Sequence, residues 1–295
     1  MADRGIDAVR AHLAKLPPSD SLTTAERRAQ YERAEKVFPT PADVKVERVN
    51  APTAPAEWLR PPSAEPGRVV LYLHGGGYVI GSPRSHRHLA AAIAGAARAS
   101  ALLLDYRLAP EHPYPAAVED AVAAYRWLLD QAIAPERIVI AGDSAGGGLT
   151  VATLLALREA RVPLPAGGVC ISPWVDLTCG GASYATKADA DPIVRRAGVE
   201  QMAQAYLGDT PPRTPLASPL FADLRGLPPL LIHVGSDEVL LDDAVKLAER
   251  AKTAGVHATL EIYDHMIHVW HWFLPMLDEA QTAVDAIGRF VRSRA

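Results

Sequence analysis

A serine flanked by glycines stands at residues 142–146, which read Gly-Asp-Ser-Ala-Gly. The apolar run 138–140 precedes it, and an apolar predicted helix, 146–160, follows it. A serine on so sharp a strand-to-helix turn needs glycine two positions to either side, where a Cβ would collide with neighbouring backbone. The helix start supplies free N–H groups and a positive dipole end, which favour a developing oxyanion. The pattern predicts Ser144 as a nucleophile; a Gly/Ser helix start or a phosphate-binding turn is the alternative.

A second glycine-rich loop, His-Gly-Gly-Gly at residues 74–77, follows another strand-like run. Consecutive glycines expose backbone N–H groups that a substrate oxygen can approach closely, so the loop suits an oxyanion hole. A dinucleotide-binding loop is the main alternative, but the Gly-x-Gly-x-x-Gly spacing does not follow. The loop therefore favours acyl chemistry over nucleotide binding.

Three histidines near the C-terminus, His265, His268 and His271, are candidates for a general base. If the chain has the order nucleophile, acid, histidine, the base follows the last strand, and all three qualify. Their spacing also raises the question of a metal site. No Glu directly follows the first histidine, as a metalloprotease motif requires, so we expect no metal.

Four carboxylates follow a strand-like run at residues 229–234 and are candidates for the acid that orients the histidine. They are Asp237, Glu238, Asp242 and Asp243. The last two fit the first turn of a helix, where the dipole favours negative charge. Either of the first two remains available for catalysis.

The elements that would position these residues alternate between strand and helix along most of the chain. Strand-like runs occur at 43–49, 68–73, 100–105, 137–141, 168–171, 229–234 and 259–263. Helical patterns occur at 117–132, 146–160, 240–254 and 275–292. Such alternation indicates an α/β fold with an open, mostly parallel sheet covered on both faces.

Two regions do not fit this alternation and are interpreted as a cap. Residues 1 to about 40 predict two helices, 6–16 and 24–37, separated by Pro17-Pro18-Ser19, with Thr23 and Glu26 as a capping box for the second. The stretch from about 174 to 218 is long for a loop and holds at most one or two helices, such as 199–207.

The remaining residues, about 41–173 and 219–295, would form the catalytic core. We therefore expect one domain over 1–295 that carries this two-part cap.

Composition excludes several classes of protein. The chain has 295 residues, 49% hydrophobic and 22% charged, which is ordinary for a folded domain. Its net charge of −4 gives no reason to expect nucleic-acid binding. No apolar run suggests a membrane span and no secretory signal is recognisable, so we expect a cytoplasmic protein. Cys170 and Cys179 are interpreted as ordinary thiols.

Four motifs in order make the chain resemble the hormone-sensitive lipase family, the bacterial family IV carboxylesterases. They lie at 74–78, 105–111, 142–147 and 265–268, and the similarity extends from about residue 40 to the C-terminus. The resemblance implies an α/β-hydrolase fold, with an eight-stranded, mostly parallel sheet and a helical cap. It also implies ester hydrolysis by a serine, an acid and a histidine.

The resemblance also assigns supporting roles. It places the oxyanion donors at the backbone N–H groups of Gly76, Gly77 and Ala145. His74, Asp143 and the segment 105–111 would support the site from behind it.

For the base, the resemblance favours His268, although the chain has His265, Val269 and Trp270 where the family has Gly, Gly and Phe. His265 and His271 then fit surface or packing roles. For the acid, aligning the segment with the family's Asp-Pro-Leu-x-Asp favours Glu238. Asp237 is the alternative and needs a one-residue shift.

The expected function is that of a serine carboxylesterase hydrolysing short-chain acyl esters without a cofactor. Its partner would be a small acyl ester, with no nucleic acid and no membrane, and the resemblance implies pairing as a homodimer. A lactonase, an amidase or a catalytically silent binding module of the same fold is the alternative, and His268 argues against the last. Five cap residues could line an apolar pocket or equally belong to the core: Trp174, Tyr184, Met202, Tyr206 and Leu207.

Overall fold

A computed structural model describes residues 4–16 and 22–295. Its strands are β1 (Lys45–Asn50), β2 (Pro55–Arg60), β3 (Val69–Leu73), β4 (Ser100–Leu104), β5 (Ile138–Asp143), β6 (Gly167–Ile171), β7 (Leu230–Gly235) and β8 (Ala258–Tyr263). The helices are α1 (Ile6–Leu13), α2 (Thr24–Glu32), α3 (Ala34–Val37), α4 (Pro83–Ala97), α5 (Ala116–Asp130), α6 (Ala145–Glu159), α7 (Ser183–Thr186), α8 (Arg196–Leu207), α9 (Leu241–Thr253) and α10 (Asp278–Arg294). Over these two ranges, no helix combines the length and the apolar character needed to cross a membrane.

The eight strands form one sheet in the order β1-β2-β4-β3-β5-β6-β7-β8. Strand β2 pairs antiparallel with β1 and with β4, and all other pairs are parallel. The predicted eight-stranded, mostly parallel α/β-hydrolase sheet is confirmed. Sequence reasoning did not identify β2 or α4, although Ser82 and Pro83 are a standard helix start.

The apolar core lies on both faces of the sheet, as alternation along β3 illustrates. Val69, Leu71 and Leu73 face the side covered by α5, α6 and α9. Val70 and Tyr72 face the side covered by α4 and α10. Successive side chains of a strand point to opposite faces, so a strand buried on both sides is apolar throughout.

The polarity of the parallel strands gathers the loops that carry the motifs. The loops after β3, β5, β6, β7 and β8 all leave from the carboxyl ends of neighbouring strands, at one edge of the sheet. In open α/β sheets, ligands bind outside this edge.

The N-terminal helices begin close to where the sequence predicts them. Thr23 and Glu26 form the predicted capping box of α2. The predicted first helix ends earlier, at Leu13, and the separating Pro17–Ser19 segment lies outside the described residues. Arg28 of α2 donates to the carbonyl oxygens of Val79 (2.9 Å) and Ala109 (2.9 Å). This helix is therefore fastened directly to the chain that follows the glycine-rich loop.

The second irregular region contains α7 and α8 and packs against the same loop. The ring of Tyr206 on α8 stacks on that of Tyr78, with centroids 3.8 Å apart and planes 6° from parallel. The carbonyl of Tyr206 accepts a hydrogen bond from the N–H of Tyr114 (2.7 Å). Trp174, Tyr184, Tyr206 and Leu207 are buried in the main core, and Met202 packs at its edge.

Candidate active site

Ser144 occupies the turn between β5 and α6 with a backbone φ of 54°. A non-glycine residue with positive φ is strained and needs surrounding structure to hold it. A Cβ on Gly142 would lie 2.6 Å from the carbonyl oxygen of Leu73, and one on Gly146 would collide with the same atom. The two flanking glycines are required because β3 passes directly against the turn.

Backbone hydrogen bonds fix this turn to the next strand. The N–H of Ser144 donates to the carbonyl of Ile171 (2.8 Å), and the Ser144 carbonyl accepts from Trp174 N–H (2.9 Å). Ala145 is the first residue of α6, so its N–H has no partner within the helix. The turn thus places a serine side chain and a free N–H group side by side.

His268 and Glu238 form a buried pair after β8 and β7. Nδ1 of His268 lies 2.6 Å from Oε2 of Glu238, which is fully buried. Facing a carboxylate, Nδ1 carries the ring proton, which leaves Nε2 as the basic nitrogen. Nε2 makes no hydrogen bond in the described residues, and neither does the Ser144 hydroxyl. Such contacts are often long in free enzymes and shorten when substrate binds.

The electrostatics of the pair favour a charged histidine. Burial alone would lower the pKa of His268. The hydrogen bond to Glu238 and its charge outweigh that effect, with help from Asp191 and Asp143, so the pKa lies above its ordinary value. A base of this kind holds a proton firmly once it has received one.

Two neighbours hold the second oxygen of Glu238. Oε1 accepts hydrogen bonds from the Ser172 hydroxyl (2.8 Å) and the Gly235 N–H (2.6 Å). The Ser172 hydroxyl in turn accepts from the N–H of Val269 (3.1 Å), the residue after His268. Ser172 therefore joins the acid and the histidine loop, and the carboxylate has little freedom to turn.

The other carboxylates of this loop point elsewhere. Asp237 accepts a hydrogen bond from Arg10 Nη2 (3.0 Å) and shares no hydrogen bond or ion pair with His268 in the described residues. Asp242 and Asp243 lie in the first turn of α9, as predicted. Asp243 is buried and accepts from two backbone N–H groups, yet burial and nearby Asp176 raise its pKa to about 8.

The other two histidines also have distinct surroundings. The side chain of His265 is 75% exposed and lies 3.5 Å from Asp264. His271 is fully buried, with Nε2 lying 3.1 Å from Nδ1 of His233. Among the three candidates, only His268 contacts a carboxylate of the β7 loop.

Gly76 and Gly77 follow β3 with φ values of 114° and 61°. A Cβ on Gly76 would collide with the carbonyl oxygen of Ile80, and one on Gly77 with the sulfur of Met202 on α8. Their N–H groups donate no hydrogen bond within the described residues. Glycine is therefore required here by both conformation and close packing.

His74 and Asp143 support these loops from below. His74 stacks on Tyr106 with ring centroids 4.2 Å apart, and its carbonyl accepts from the Tyr106 hydroxyl (2.7 Å). Burial, with a contribution from nearby His86, lowers the pKa of His74 to about 3, so the ring is neutral. Asp143 accepts a hydrogen bond from the N–H of Gly75 (3.2 Å).

The segment 105–111 is held by charged pairs. Arg107 donates to the fully buried Asp120 on α5 through both Nε and Nη2, at 2.8 to 3.0 Å. Glu111 receives two hydrogen bonds from Arg28, at 2.7 and 2.8 Å. The segment thus connects α5 with α2 beside the glycine-rich loop.

Comparison with known proteins places the chain in a family. The family model described as alpha/beta hydrolase fold matches residues 70–272, more than half of the chain. The chain belongs to the α/β-hydrolase fold family.

Two close matches to this α/β hydrolase extend over nearly its whole length. The acetyl-hydrolase of Streptomyces hygroscopicus is 52% identical over 271 residues, 90% of this chain and 89% of the relative. The crystal structure of an esterase from the bacterial hormone-sensitive lipase family is 52% identical, with a TM-score of 0.94 over 98% of this chain and 97% of that one.

A crystal structure of EstE5 soaked with p-nitrophenyl butyrate is 51% identical, with a TM-score of 0.94 over 98% of each chain. The resemblance to the hormone-sensitive lipase family is confirmed. The prediction of a carboxylic ester hydrolase is confirmed at the level of the family.

Sequence reasoning missed two residues of this α/β hydrolase that hold the loop carrying Glu238. One is Ser172, described above. The other is Asp191, which is fully buried and accepts from the N–H groups of Ile193 (2.9 Å), Val194 (2.9 Å) and Val239 (3.0 Å). An aspartate before a turn is a recognisable signal, but its bond to a residue 48 positions away is not.

No cluster of three or more His, Cys, Asp or Glu side chains that could hold a metal ion occurs in residues 4–16 and 22–295 of the hydrolase. Both cysteines are free and buried.

Proposed function

We propose that this α/β hydrolase is a serine carboxylesterase that hydrolyses short-chain acyl esters through an acyl-enzyme intermediate. The observation that carries the proposal is the 2.6 Å contact between His268 Nδ1 and Glu238 Oε2, held by Ser172 and Gly235. It lies at the sheet edge where the strained turn carries Ser144. A nucleophile, a base and an orienting acid on neighbouring parallel strands are the parts of acyl-transfer chemistry.

In the first step, Nε2 of His268 takes the hydroxyl proton as Ser144 Oγ attacks the ester carbonyl carbon. Glu238 keeps the ring in the correct tautomer and stabilises its positive charge without itself being protonated. The tetrahedral intermediate collapses, the bond to the alcohol oxygen breaks, and His268 returns its proton to that oxygen. The alcohol leaves and the acyl group stays on Ser144.

In the second step, His268 takes a proton from a water molecule, whose oxygen attacks the acyl carbon. Collapse of the second intermediate breaks the bond to Ser144, which recovers its proton from His268. The carboxylic acid is released. Nucleophile, acid–base catalyst and water account for every bond change, so the proposed reaction needs no cofactor.

The negative oxygen of each intermediate would be bound by the N–H groups of Gly76, Gly77 and Ala145. This role is supported by the free N–H groups of the two glycines and by the unpaired first N–H of α6. A single donor of this kind typically contributes about 10²–10³-fold in kcat.

A small acyl group is supported by how closely the cap approaches the glycine-rich loop. The Met202 sulfur lies so close to Gly77 that a Cβ there would collide with it, and the ring of Tyr206 stacks on that of Tyr78. The acetyl-hydrolase among the relatives is consistent with short acyl groups. The cytoplasmic location and the homodimer stay predictions; a sedimentation mass equal to one chain would contradict the latter.

The test is the initial rate on p-nitrophenyl acetate, butyrate and octanoate, beside the Ser144→Ala variant. We expect the highest rates on the two shorter esters and a loss of at least about 10⁴-fold in the variant. A fluorophosphonate should label the natural protein and not Ser144→Ala. Ser63→Ala is the matched control, since this exposed serine lies at the opposite end of the sheet and should retain the full rate.

Full activity or labelling in Ser144→Ala would refute the assignment of the nucleophile. If the natural protein hydrolyses a lactone or an anilide but no ester, the lactonase or amidase alternative replaces the esterase. If it hydrolyses none of these substrates, the binding-module alternative replaces it.

A further inference from the structure

A second buried histidine–carboxylate pair lies directly behind the nucleophile. His86 of α4 is fully buried, and its Nε2 lies 3.4 Å from Oδ2 of Asp143, the residue before Ser144. A bare nitrogen facing a carboxylate would be repelled, so Nε2 carries a proton. Nδ1 of the same ring lies 2.8 Å from the Ser85 hydroxyl. Both nitrogens of His86 thus have polar neighbours.

Asp143 connects the turn that carries Ser144 to the glycine-rich loop (74–77). Its Oδ1 accepts from the N–H of Gly75 (3.2 Å) and from the Tyr72 hydroxyl (2.7 Å). A Cβ on Gly75 would collide with the Asp143 carboxylate, so the two loops are in direct contact. Burial would raise the pKa of Asp143, but His86 and Tyr72 outweigh it and the pKa lies below its ordinary value. Rotation of this carboxylate would release Gly75.

The ring of His86 also contacts the loop that carries the catalytic base. Its centroid lies 5.1 Å from that of Trp272, four residues after His268, and 5.8 Å from that of Tyr31 on α2. His88, two residues further along α4, has Nε2 3.1 Å from the Trp272 carbonyl oxygen. Helix α4 therefore contacts both the residue before Ser144 and the segment that follows His268.

We propose that His86 is a positioning residue for ester hydrolysis. It holds the Asp143 carboxylate so that the glycine-rich loop (74–77) and Ser144 stay aligned with His268. The proposal rests on the proposed function. Ser144 and His268 come from different strands and share no hydrogen bond in the structure, so their alignment depends on the surrounding frame. A misplacement of about 1 Å at a reacting centre can reduce the rate about 10²-fold.

The experiment compares His86→Phe, which removes both nitrogens, with His86→Gln, which keeps a donor and an acceptor. Active sites are counted by fluorophosphonate titration, so that kcat refers to correctly folded enzyme. We expect His86→Phe to lower kcat per site on p-nitrophenyl butyrate by about tenfold or more with little change in KM, and His86→Gln to recover most of it. Tyr125→Phe is the control, since it deletes one partly buried hydrogen bond, to the Pro163 carbonyl, on the opposite face of the sheet.

A double-mutant cycle with Asp143→Asn tests whether His86 acts through Asp143. If it does, His86→Phe has little further effect on kcat once Asp143→Asn is present, because coupled residues are not additive. Independent, additive losses would overturn the proposal. An unchanged kcat per site in His86→Phe, with only thermal stability reduced as in Tyr125→Phe, would also overturn it.

The two proposals fail in different ways. If the natural protein has no esterase activity, the proposed function fails, and the rate of Ser144 phosphonylation then replaces kcat as the test of His86. If the natural protein is active and His86→Phe matches it, only the positioning role fails.

Discussion

His268 and His271 lie three residues apart and are both buried, yet their surroundings are opposite. His268 faces a carboxylate at 2.6 Å, and the hydrogen bond and charge of Glu238 overcome the effect of burial to raise its pKa. His271 faces another histidine, His233, at 3.1 Å, and its Nδ1 has no hydrogen-bond partner in the described residues. Burial, together with His233, lowers the pKa of His271 well below its ordinary value.

The difference shows that the polar partner, and not burial, decides whether the pKa of a buried histidine is raised or lowered. The carboxylate on this side, Glu261, pairs with His233 and not with His271. It lies 3.3 Å from His233 and accepts a hydrogen bond from the Tyr263 hydroxyl (2.8 Å). Its pKa is lowered to about 2, chiefly by the close approach of the His233 ring. His271 is therefore neutral, whereas Glu238 favours the protonated form of His268.

The largest expected effect comes from removing the carboxylate beside the base. Glu238→Gln should lower kcat/KM on p-nitrophenyl butyrate by about 10³–10⁴-fold, because the amide no longer favours the correct tautomer or the charged ring. Steady-state kinetics measure this loss. Glu261→Gln is the matched control and should stay within about threefold of the natural rate, since Glu261 contacts His233 and not His268. Equal losses of kcat/KM in the two variants would show that the surroundings of His268 and of His271 do not differ in their effect on the reaction.

The pH dependence of the rate sharpens the same comparison. His268 acts as a base only when neutral, so kcat/KM should rise with pH through a midpoint above about 6.5, the ordinary histidine value. In Glu238→Gln the lowering effect of burial would be opposed only by the charges of Asp191 and Asp143, and the midpoint should move down. A pH profile of the residual activity measures both. A midpoint that does not move would show that Glu238 does not govern His268.

A smaller effect is expected on stability at acid pH. Because the pKa of His271 is lowered in the folded state, the unfolded chain binds the proton more readily below about pH 6.5. Its contribution to stability is present above that pH and is lost as the pH falls. His271→Phe should therefore lose less thermal stability than the natural protein between pH 7 and pH 5, measured by circular dichroism. Parallel curves would contradict this.

The smallest effect is expected at His265. His265→Asn, chosen because Asn tolerates the φ of 60° there, should change kcat/KM by less than about twofold and stability by less than about 0.5 kcal/mol. Its side chain is mostly exposed and pairs only with exposed Asp264. Kinetics and thermal unfolding check both. A large loss of activity would place His265 in the site.

Local patterns in the sequence predicted much of this fold and candidate site. The Ser144 turn and the glycine loop are short motifs whose physical requirements lie within a few residues, as are the strand and helix periodicities. Ser172 and Asp191 could not be predicted, because each acts on a residue that folding brings from 66 and 48 positions away. Strand β2 begins at a proline and lacks a clear alternation, so only its pairing with β1 and β4 defines it.

The loops that carry Ser144, Glu238 and His268 all lie at one edge of the sheet. This placement has a practical consequence for attaching the enzyme to a solid support. The turn holding Ser63, between β2 and β3, lies at the sheet edge opposite those loops and is exposed. Cys170 and Cys179 are both buried, and burial raises the pKa of their thiols to about 12 and about 11. A thiol introduced by Ser63→Cys would therefore be the reactive one, and coupling through it would orient every molecule with the loops of Ser144 and His268 toward the solution.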